Sequence, residues 1–296
     1  MISILLPSYN DDCVKLVNTL HTQAEAIDGL QFEILVADDG STDINVVKSN
    51  REIDLLSHCR FIERKINVGR AAIRNFLARE AKGEWLLFID SDMRIDISDY
   101  LLRYIKEIEN NGSEYMVVYG GYNIDSASPN NLRYRYELRN CQNRKSNERQ
   151  RHPYQNFHTS NFLISKELMT VCPLNEEMRQ YGYEDILFGK QLEQKSIPIH
   201  HIDAPVTFYK FESQEIFIVK TEESLTTLYK YRKQLRGYSH LLTTAEKMRH
   251  LKLDGIINWM FQRHGKTWRR KLIEEEAPLR MFQLYKLGYY IHLCRQ

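Results

Sequence analysis

The chain has 296 residues, of which 43% are hydrophobic and 27% are charged. A chain of this size and composition buries a sizeable core, as one large α/β domain or two modest ones, and is neither disordered nor of low complexity. Its 41 basic and 39 acidic residues leave a net charge of +2. That balance argues against nucleic-acid binding over the whole surface, so we expect no nucleic-acid partner.

The cysteines and the apolar segments bear on the compartment. Five cysteines are scattered along the chain without a CxxC pair, which favours free thiols over disulfides or a thiolate zinc site. An apolar strand pattern follows Met1 directly, and no stretch approaches the roughly 18 apolar residues of a membrane span. We therefore expect a cytoplasmic protein, with peripheral attachment to the inner face of the cell membrane left open.

The first ninety residues alternate strand and helix patterns. Short apolar runs that end in turn residues or aspartates predict strands at 3–7, 34–37, 59–65 and 85–90. The alternation predicts a mostly parallel α/β sheet with helices on both faces, whose ligand sits at the carboxyl ends of the strands. We expect the polar residues at these ends to converge there.

The rest of the chain changes character. A helix is predicted at 100–109 and a strand at 115–119. The following segment, 133–151, carries seven basic residues against two acidic ones. It is either a solvated charged loop or a contact for an anionic acceptor. Apolar periodicity returns at 161–169, and beyond residue 211 only helices are predicted, at 216–235, 243–260 and 279–293.

The strongest local signal is LLFIDSDM, in which a buried strand ends by presenting Asp90 and Asp92 with one residue between them. Residues i and i+2 of a strand project the same way, and two adjacent carboxylates repel unless a cation lies between them. Oxygen ligands of this kind suit Mn²⁺ or Mg²⁺ carried in with a diphosphate. The alternative is that these aspartates only end the strand and start a turn.

Five motifs stand in one order along the chain: LLPSYND, VADDGSTD, NVGRAAIRN, FIDSD and GYEDILFG. Together they resemble the inverting family 2 glycosyltransferases, which have the GT-A fold, over roughly residues 1–210. The resemblance implies transfer of a hexosyl or N-acetylhexosaminyl group from a UDP- or GDP-sugar to a saccharide or lipid-linked hydroxyl, with inversion. It also implies a divalent cation, Mn²⁺ or Mg²⁺, at the diphosphate.

The resemblance assigns the nucleotide contacts. It places Pro7 and Tyr9 against the base and ribose, with Asp39 hydrogen-bonding the base. Asp38 is either a further nucleotide contact or a turn and helix-capping residue. By the same resemblance, Asp90 reaches the ribose or the metal and Asp92 binds the metal directly.

The motif NVGRAAIRN opens the third predicted helix. Its start at Asn67 and Gly69 would point N-terminal amides at the donor, since helix N-termini favour anionic groups. Arg70 or Arg74 would assist. The alternative for Arg74 is a salt bridge to a neighbouring aspartate.

The motif GYEDILFG brings Glu184 and Asp185 to the start of an apolar helix. Inversion needs a base that takes the acceptor proton opposite the leaving diphosphate, and a carboxylate at a helix N-terminus can be fixed and ionised there. The family's base corresponds to Asp185, with Glu184 beside it as the first substitute. The alternative is that both only complement the helix dipole.

One departure from the family concerns the metal. Relatives often follow an apolar-Asn-Pro-Val segment with a histidine ligand, but this chain reads IDAPVTFYKF, with Ala204 for asparagine and Phe208 or Tyr209 near the histidine position. The third protein ligand is therefore open, because lone histidines such as His158, His200 and His201 are more often ordinary core or surface residues. The cation would then rest on Asp92, the diphosphate and water.

These patterns predict a GT-A domain at 1–212, with a nucleotide-sugar half at 1–95 and an acceptor half at 96–212, followed by a helical extension at 213–296. The predicted role is surface glycan synthesis. One alternative is a sugar nucleotidyltransferase, although PSYNDD lacks the glycine-rich phosphate loop expected after its first strand. The other is a non-catalytic nucleotide-sugar or glycan-binding protein of the same fold.

The helical extension contains a stretch, 259–271, that mixes basic and aromatic residues. Such a mixture is compatible with lying on an anionic membrane surface, and core packing by the aromatics is the alternative. The residues concerned are Trp259, Phe261, Arg263, Lys266, Trp268, Arg269, Arg270 and Lys271.

Overall fold

The computed structural model describes residues 1–111, 116–141 and 145–296. By their contacts, these residues group into two compact units. The first consists of Met1–Asp125, Asn143–Arg179 and Phe188–Lys210, and the second of Ser126–Gln142, Gln180–Leu187 and Phe211–Gln296. The predicted domain boundary at residue 212 stays a prediction.

The strands all lie in the first unit. They are β1 Ile2–Ser8, β2 Phe32–Asp38, β3 Cys59–Glu63, β4 Trp85–Ile89, β5 Met93–Arg94, β6 Val117–Tyr119, β7 Tyr122–Ile124, β8 Asn161–Ser165, β9 Ile199–His201 and β10 Val206–Phe208.

Helices occur in both units. They are α1 Val14–Glu25, α2 Ile44–Asn50, α3 Arg70–Glu80, α4 Tyr100–Asn111, α5 Leu132–Cys141, α6 Ser146–Arg149, α7 Lys166–Val171, α8 Glu184–Gln194, α9 Gln214–Lys230, α10 His240–His250, α11 Asp254–Glu274 and α12 Leu279–Arg295.

The main sheet has seven strands in the order β3-β2-β1-β4-β8-β6-β9. Only β8 runs against its neighbours, so the sheet is mostly parallel, as predicted. Every residue of β1 and β2 is buried, which is the pattern of strands covered on both faces. The predicted α/β class is confirmed, and the carboxyl ends of β1, β2 and β4 lie side by side.

Two predicted elements differ in detail. The strand predicted to stop at Pro7 continues to Ser8, because Pro7 pairs with Ala37 of the parallel neighbour inside the sheet. The apolar segment at 161–169 is a strand followed by a short helix, since the Ser165 side chain caps α7 by accepting from the Leu168 N–H.

A small three-stranded sheet, in the order β5-β10-β7, follows the aspartate pair of β4. It sets Phe208 opposite Met93 in the antiparallel register of β10 and β5. The segment IDAPVTFYKF is thereby fixed next to FIDSD, although the two lie more than a hundred residues apart in the sequence.

The second unit is helical, and its described residues beyond Phe211 form no strand, as predicted. Its core gathers apolar residues of α5, α9, α11 and α12, among them Leu132, Phe217, Leu272 and Phe282. The helix predicted at 243–260 is two helices, because the chain turns at Lys252, which has a φ of +59°.

Candidate donor site

Hydrogen bonds join the loop after β1 to the loop after β2. The Asn10 side-chain oxygen accepts from the backbone N–H groups of Thr42 and Asp43 at 2.9 and 3.0 Å. Asn10 has a φ of +56°, a left-handed conformation that asparagine tolerates better than most residues. The two loops therefore form one rim at the carboxyl edge of the sheet. On that rim Tyr9 is 46% exposed, whereas Pro7 is buried within β1.

Asp39 ties the end of β2 to the loop that precedes α3. It is 4% exposed, and its two carboxylate oxygens accept from the N–H groups of Val68 and Gly69 at 2.9 and 3.0 Å. Burial raises the pKa of Asp39, against the effect of these two hydrogen bonds and of Arg64. The predicted base contact is thus also a structural residue that holds a second loop of the site.

Asp38 makes the turn contacts that were the alternative to a nucleotide contact. One carboxylate oxygen accepts from the Ser41 N–H at 2.9 Å and the other from the Ser41 hydroxyl. The side chain is 1% exposed. Asp38 therefore shapes the loop on which Asp39 lies.

Gly69 is the N-cap of α3, which begins at Arg70 and not at Asn67, the start that the motif predicts. Its φ of +91° belongs to the left-handed region, and an added Cβ would lie 3.0 Å from the carbonyl oxygen of Arg179. The Gly69 N–H, predicted to face the donor, donates to Asp39 instead. Asn67 lies in the same loop, where its backbone approaches Gly40 closely enough that a Cβ there would be 2.8 Å away.

Asp90 is clamped by the two arginines of α3. The buried Arg74 donates to one carboxylate oxygen of Asp90, and Arg70 donates to the other at 3.1 Å. The side chains of Arg74 and Asp90 are 2% and 11% exposed, whereas that of Arg70 is 43% exposed. Arg74 therefore makes the salt bridge to a neighbouring aspartate, and the Arg70 guanidinium is the one that reaches the surface.

Asp11 and Lys210 belong to the site, although the sequence interpretation missed both. Asp11 accepts from the Ser91 hydroxyl at 3.0 Å and from the Lys210 ammonium at 2.8 Å. Burial acts to lower the pKa of Lys210, but Asp11, Tyr209 and Asp92 raise it on balance, so the ammonium stays charged. Asp11 lies in the motif PSYNDD, whereas Lys210, 199 positions later, gave no local signal.

The residues around Asp92 bear on the predicted cation. Asp90 is already neutralised by two guanidinium groups, which leaves the half-buried Asp92 as the candidate ligand of the pair. Among the residues that the structure describes, no three His, Cys, Asp or Glu side chains are arranged to hold a metal ion. A single carboxylate ligand, Asp92, fits a divalent cation that arrives with a diphosphate, because the diphosphate would supply most of the cation's ligands.

The three histidines that could replace the missing metal ligand contact other groups or face solvent. His201 is 8% exposed; its Nε2 bonds the Pro153 carbonyl at 3.0 Å and its Nδ1 accepts from Arg149 at 3.3 Å. Burial lowers the pKa of His201 to about 4. His158 packs against tyrosine rings and His200 is exposed on β9. At the expected histidine position the chain places Phe208, buried, and the exposed Tyr209.

The basic segment 133–151 is neither wholly a solvated loop nor wholly a ligand contact. Arg133 bonds Glu137 and Glu212, each at 2.9 Å. Arg149 is 8% exposed and donates to the carbonyls of Gly120 and Ile202 at 3.2 and 2.6 Å. Arg144 lies outside the described residues. Two of the seven basic residues therefore stabilise the fold.

Glu184 and Asp185 begin α8, in the second unit. Glu184 is buried, and Asp185 is partly exposed with one carboxylate oxygen accepting from the Ile186 N–H at 2.7 Å. The turn before them is unusual, because Gly182 and Tyr183 have φ values of +95° and +68°. A bulky residue in the left-handed region is uncommon and occurs preferentially at functional sites.

A mostly parallel sheet that carries aspartates, arginines and an exposed tyrosine at its carboxyl edge, followed by helices, defines the GT-A class. Residues 3–171 match the family described as "Glycosyl transferase family 2". The chain belongs to this family.

Individual relatives of known name match only part of this chain. The "Poly(ribitol-phosphate) beta-glucosyltransferase" of Bacillus spizizenii is 35% identical over 120 residues, which cover 38% of this chain and 18% of that protein. The Escherichia coli "UDP-Glc:alpha-D-GlcNAc-diphosphoundecaprenol beta-1,3-glucosyltransferase WfgD" is 28% identical over 155 residues, covering 48% of this chain and 56% of that protein. The chain thus matches less than two thirds of the length of either relative.

Solved structures show the same fold. S. aureus TarS 1-349 in complex with UDP-GlcNAc is similar over 99% of this chain and 91% of its own, with a TM-score of 0.54 and 16% identity. The mannosyltransferase PcManGT of Pyrobaculum calidifontis, in complex with GDP-Man and Mn²⁺, is similar over 100% of this chain and 87% of its own, with a TM-score of 0.56 and 13% identity.

Proposed function

We propose that this chain is an inverting glycosyltransferase of surface glycan synthesis, which moves a hexosyl or N-acetylhexosaminyl group from a UDP- or GDP-sugar to a saccharide or lipid-linked hydroxyl. The observation that carries the proposal is the hydrogen-bonded rim at the carboxyl ends of β1 and β2, in a family 2 sequence. The names of the glucosyltransferase relatives and of the UDP-GlcNAc and GDP-Man complexes support the donor class.

In the proposed donor site, Tyr9 stacks on the nucleotide base and Pro7 fixes the strand end that presents it. Asp39 accepts from the base with the lone pairs that its two amide hydrogen bonds leave available. Asp38 does not contact the nucleotide in this proposal; it stabilises the turn on which Asp39 lies. Asn67 and Gly69 serve by bringing the loop before α3 to Asp39, which fixes the carboxylate before the nucleotide arrives.

Positive charge at the proposed diphosphate position comes from both the chain and the cation. A bound Mn²⁺ or Mg²⁺ would stabilise the charge that builds on the departing diphosphate. Asp92 is the proposed ligand of this cation, because the carboxylate of Asp90 already bonds Arg70 and Arg74. Lys210 stands next to the position where relatives often carry a histidine ligand, and its ammonium adds a fixed positive charge beside Asp92.

The proposed catalytic base is Asp185, with Glu184 the alternative. The base takes the proton of the acceptor hydroxyl while the acceptor oxygen bonds to the anomeric carbon of the donor sugar. The bond between the anomeric carbon and the diphosphate oxygen breaks on the opposite face. The support is the position of Asp185 in GYEDILFG and its partial exposure at a helix start, where a carboxylate stays ionised. Asp185→Asn should retain nucleotide binding and lose transfer by roughly 10²–10⁴-fold.

Calorimetric titration tests the donor site. UDP or GDP should bind the wild type in the presence of Mn²⁺, and Asp39→Ala should weaken this binding because it removes the base contact and releases the loop at Val68. Asp54→Ala is a matched control, since Asp54 also accepts a backbone N–H, from Phe61 at 2.7 Å, but lies outside the site. If neither nucleotide binds with or without Mn²⁺, the assignment is wrong. Binding without any transfer would favour the non-catalytic alternative.

We further propose that α11 lies on an anionic membrane surface. Five exposed residues recur at spacings of three and four along this helix, which places them within one arc: Ile256, Trp259, Arg263, Lys266 and Arg270. Ile256 and Trp259 are 57% and 63% exposed. The arc combines an apolar end with a basic end, which is the composition of an interfacial helix. No helix in the described part of the chain is long and apolar enough to cross a membrane.

Three other residues of the stretch, Phe261, Trp268 and Arg269, contact residues of the second unit. Trp268 contacts Phe261, and Arg269 bonds Glu222 at 2.8 Å. Gly265 does not interrupt α11 but gives room to the Phe261 ring. The core-packing alternative therefore holds for Phe261 and Trp268, whereas Trp259 remains on the surface.

Vesicle flotation tests the membrane contact. Three basic residues near an anionic surface contribute about 3 kcal/mol in total. Wild type should float with phosphatidylglycerol vesicles at low salt, and changing Arg263, Lys266 and Arg270 to Ser should abolish it. The control changes three exposed lysines elsewhere to Ser: Lys48, Lys82 and Lys106. Equal loss in both variants, or no flotation of the wild type, would refute the contact.

A further inference from the structure

The second unit contains a pocket that no part of the proposed transfer reaction uses. It has a volume of about 400 Å³ and lies among α9, α10, α11, α12 and the turn after α9. This volume is within the range of small-molecule sites. All of its lining residues belong to the second unit.

The lining of this pocket is strongly basic. It includes five arginine or lysine side chains against Glu246 and Asp254. Two of the basic side chains are paired, Arg236 with Glu246 at 3.3 Å and Arg295 with Asp254 at 2.5 Å. The other three, Arg232, Lys233 and Arg249, have no carboxylate partner within the described residues. The pocket therefore keeps three positive charges for a ligand.

Arg232 is held in place before any ligand arrives. Its guanidinium lies over the ring of Tyr229, 4.3 Å from the centroid, and donates to the Tyr229 carbonyl at 2.6 Å. A guanidinium fixed in this way loses less conformational freedom on binding an anion than a mobile side chain would.

A tyrosine with a buried hydroxyl also lines the pocket. Tyr290 lines it and is 1% exposed, and its hydroxyl makes no hydrogen bond of good distance and angle within the described residues. It interacts weakly with the Cys294 thiol. Buried hydroxyls are normally satisfied, so an orphan at a pocket wall indicates a group that a ligand supplies. Burial raises the pKa of Tyr290, which keeps the hydroxyl a neutral donor.

We infer that this pocket binds a phosphorylated saccharide through its phosphate ester. Three separate cations and a hydroxyl donor match the several oxygens of a phosphate better than the two of a carboxylate. The volume exceeds what a lone phosphate needs, and Leu242, Ala245 and Ile291 supply apolar wall for the saccharide. The inference does not depend on the donor site, because it uses residues of the second unit alone.

Titration of the full chain with glucose 1-phosphate tests the inference. Saturating UDP is present throughout, so that binding at the donor site does not contribute. We expect saturable binding that Arg249→Gln weakens about tenfold, the effect of one lost charge-assisted hydrogen bond. Lys247→Gln is the matched control, since Lys247 is exposed on the same helix, carries the same charge and does not line the pocket; it should bind as the wild type does.

Tyr290→Phe separates the ligand role from a structural one. It should weaken binding of glucose 1-phosphate several-fold without lowering the melting temperature, because the only protein contact that the hydroxyl loses among the described residues is the weak one with the Cys294 thiol. A fall in melting temperature with unchanged binding would contradict the role assigned to this hydroxyl.

Three further probes distinguish the source of the phosphate. Inorganic phosphate should bind more weakly than glucose 1-phosphate, and glucose not at all. Equal affinity for inorganic phosphate would overturn the saccharide part of the inference. Binding of phosphatidylglycerol vesicles that Arg249→Gln weakens, without binding of glucose 1-phosphate, would assign the pocket to a lipid headgroup and overturn it. Absence of saturable binding by any probe, or equal weakening by Arg249→Gln and Lys247→Gln, would overturn it entirely.

Discussion

The salt bridge between Arg74 and Asp90 offers a direct test of how the strand-end carboxylates are organised. Arg74→Met keeps the length and the apolar contacts of the buried side chain but removes its guanidinium. It leaves one oxygen of the Asp90 carboxylate without its Arg74 donor, and it removes the side-chain hydrogen bond from Arg74 to the Arg70 carbonyl. The Asp90 side chain is only 11% exposed, so solvent cannot fully replace the lost donor.

The expected loss follows from the burial of the pair. Removing one partner of a buried ion pair costs about 3–5 kcal/mol. Arg70 still holds the other oxygen of Asp90, which places the expected loss at the lower end, about 3 kcal/mol. Adding Asp90→Asn removes the stranded charge, so the double variant should recover about 2 kcal/mol relative to the sum of the single changes.

Urea unfolding of the four proteins measures this coupling. Arg79→Met is the matched control, because Arg79 lies on the same helix and pairs with Glu176 at 3.4 Å while both side chains are exposed, at 64% and 49%. That change should cost less than about 1 kcal/mol. Losses for Arg74→Met and Asp90→Asn that add to within about 0.5 kcal/mol would refute the pairing.

Three further predictions concern protonation, charge and packing. Burial lowers the pKa of His201 from 6.5 to about 4, so His201 binds its proton more readily in the unfolded chain. On the order of 3 kcal/mol of stability is therefore lost as the pH falls from about 6.5 to 4. Urea unfolding as a function of pH should show this loss in the wild type, and His201→Gln should abolish this pH dependence. Lys210→Met should make nucleotide binding depend more steeply on Mn²⁺, and unchanged titrations with and without the cation would show that its charge is not used. Gly288→Ala brings a Cβ within 2.7 Å of the Phe261 ring and should cost about 1–3 kcal/mol in thermal unfolding, whereas Gly255→Ala, with its nearest atom at 3.9 Å, should not destabilise.

The order of elements and the strand ends could be predicted from the sequence because they depend on local pattern. A short apolar run bounded by turn residues predicts a strand from local sequence alone, independently of the rest of the chain. Adjacent parallel strands then bring their carboxyl ends together, which is why the loops at Asn10 and Thr42 meet.

The partners of individual side chains could not be predicted in this way. Whether Arg74 faces a donor or Asp90 depends on how α3 packs against the sheet, and the sequence left both open. The contact of Lys210 with Asp11 joins residues 199 positions apart through the small sheet, and no local period encodes it. The turn at Lys252 was missed because the apolar period runs through it while the backbone does not.

The central claim is that this chain breaks the bond between a sugar and a nucleoside diphosphate. Release of UDP or GDP from a panel of their sugar conjugates, with Mn²⁺ and a mixture of saccharide acceptors, measures this directly. We expect release from at least one conjugate by the wild type and a decrease of roughly 10²–10⁴-fold in Asp185→Asn, while nucleotide affinity is retained. Nucleotide binding without release from any conjugate, or equal release by the wild type and Asp185→Asn, would contradict it.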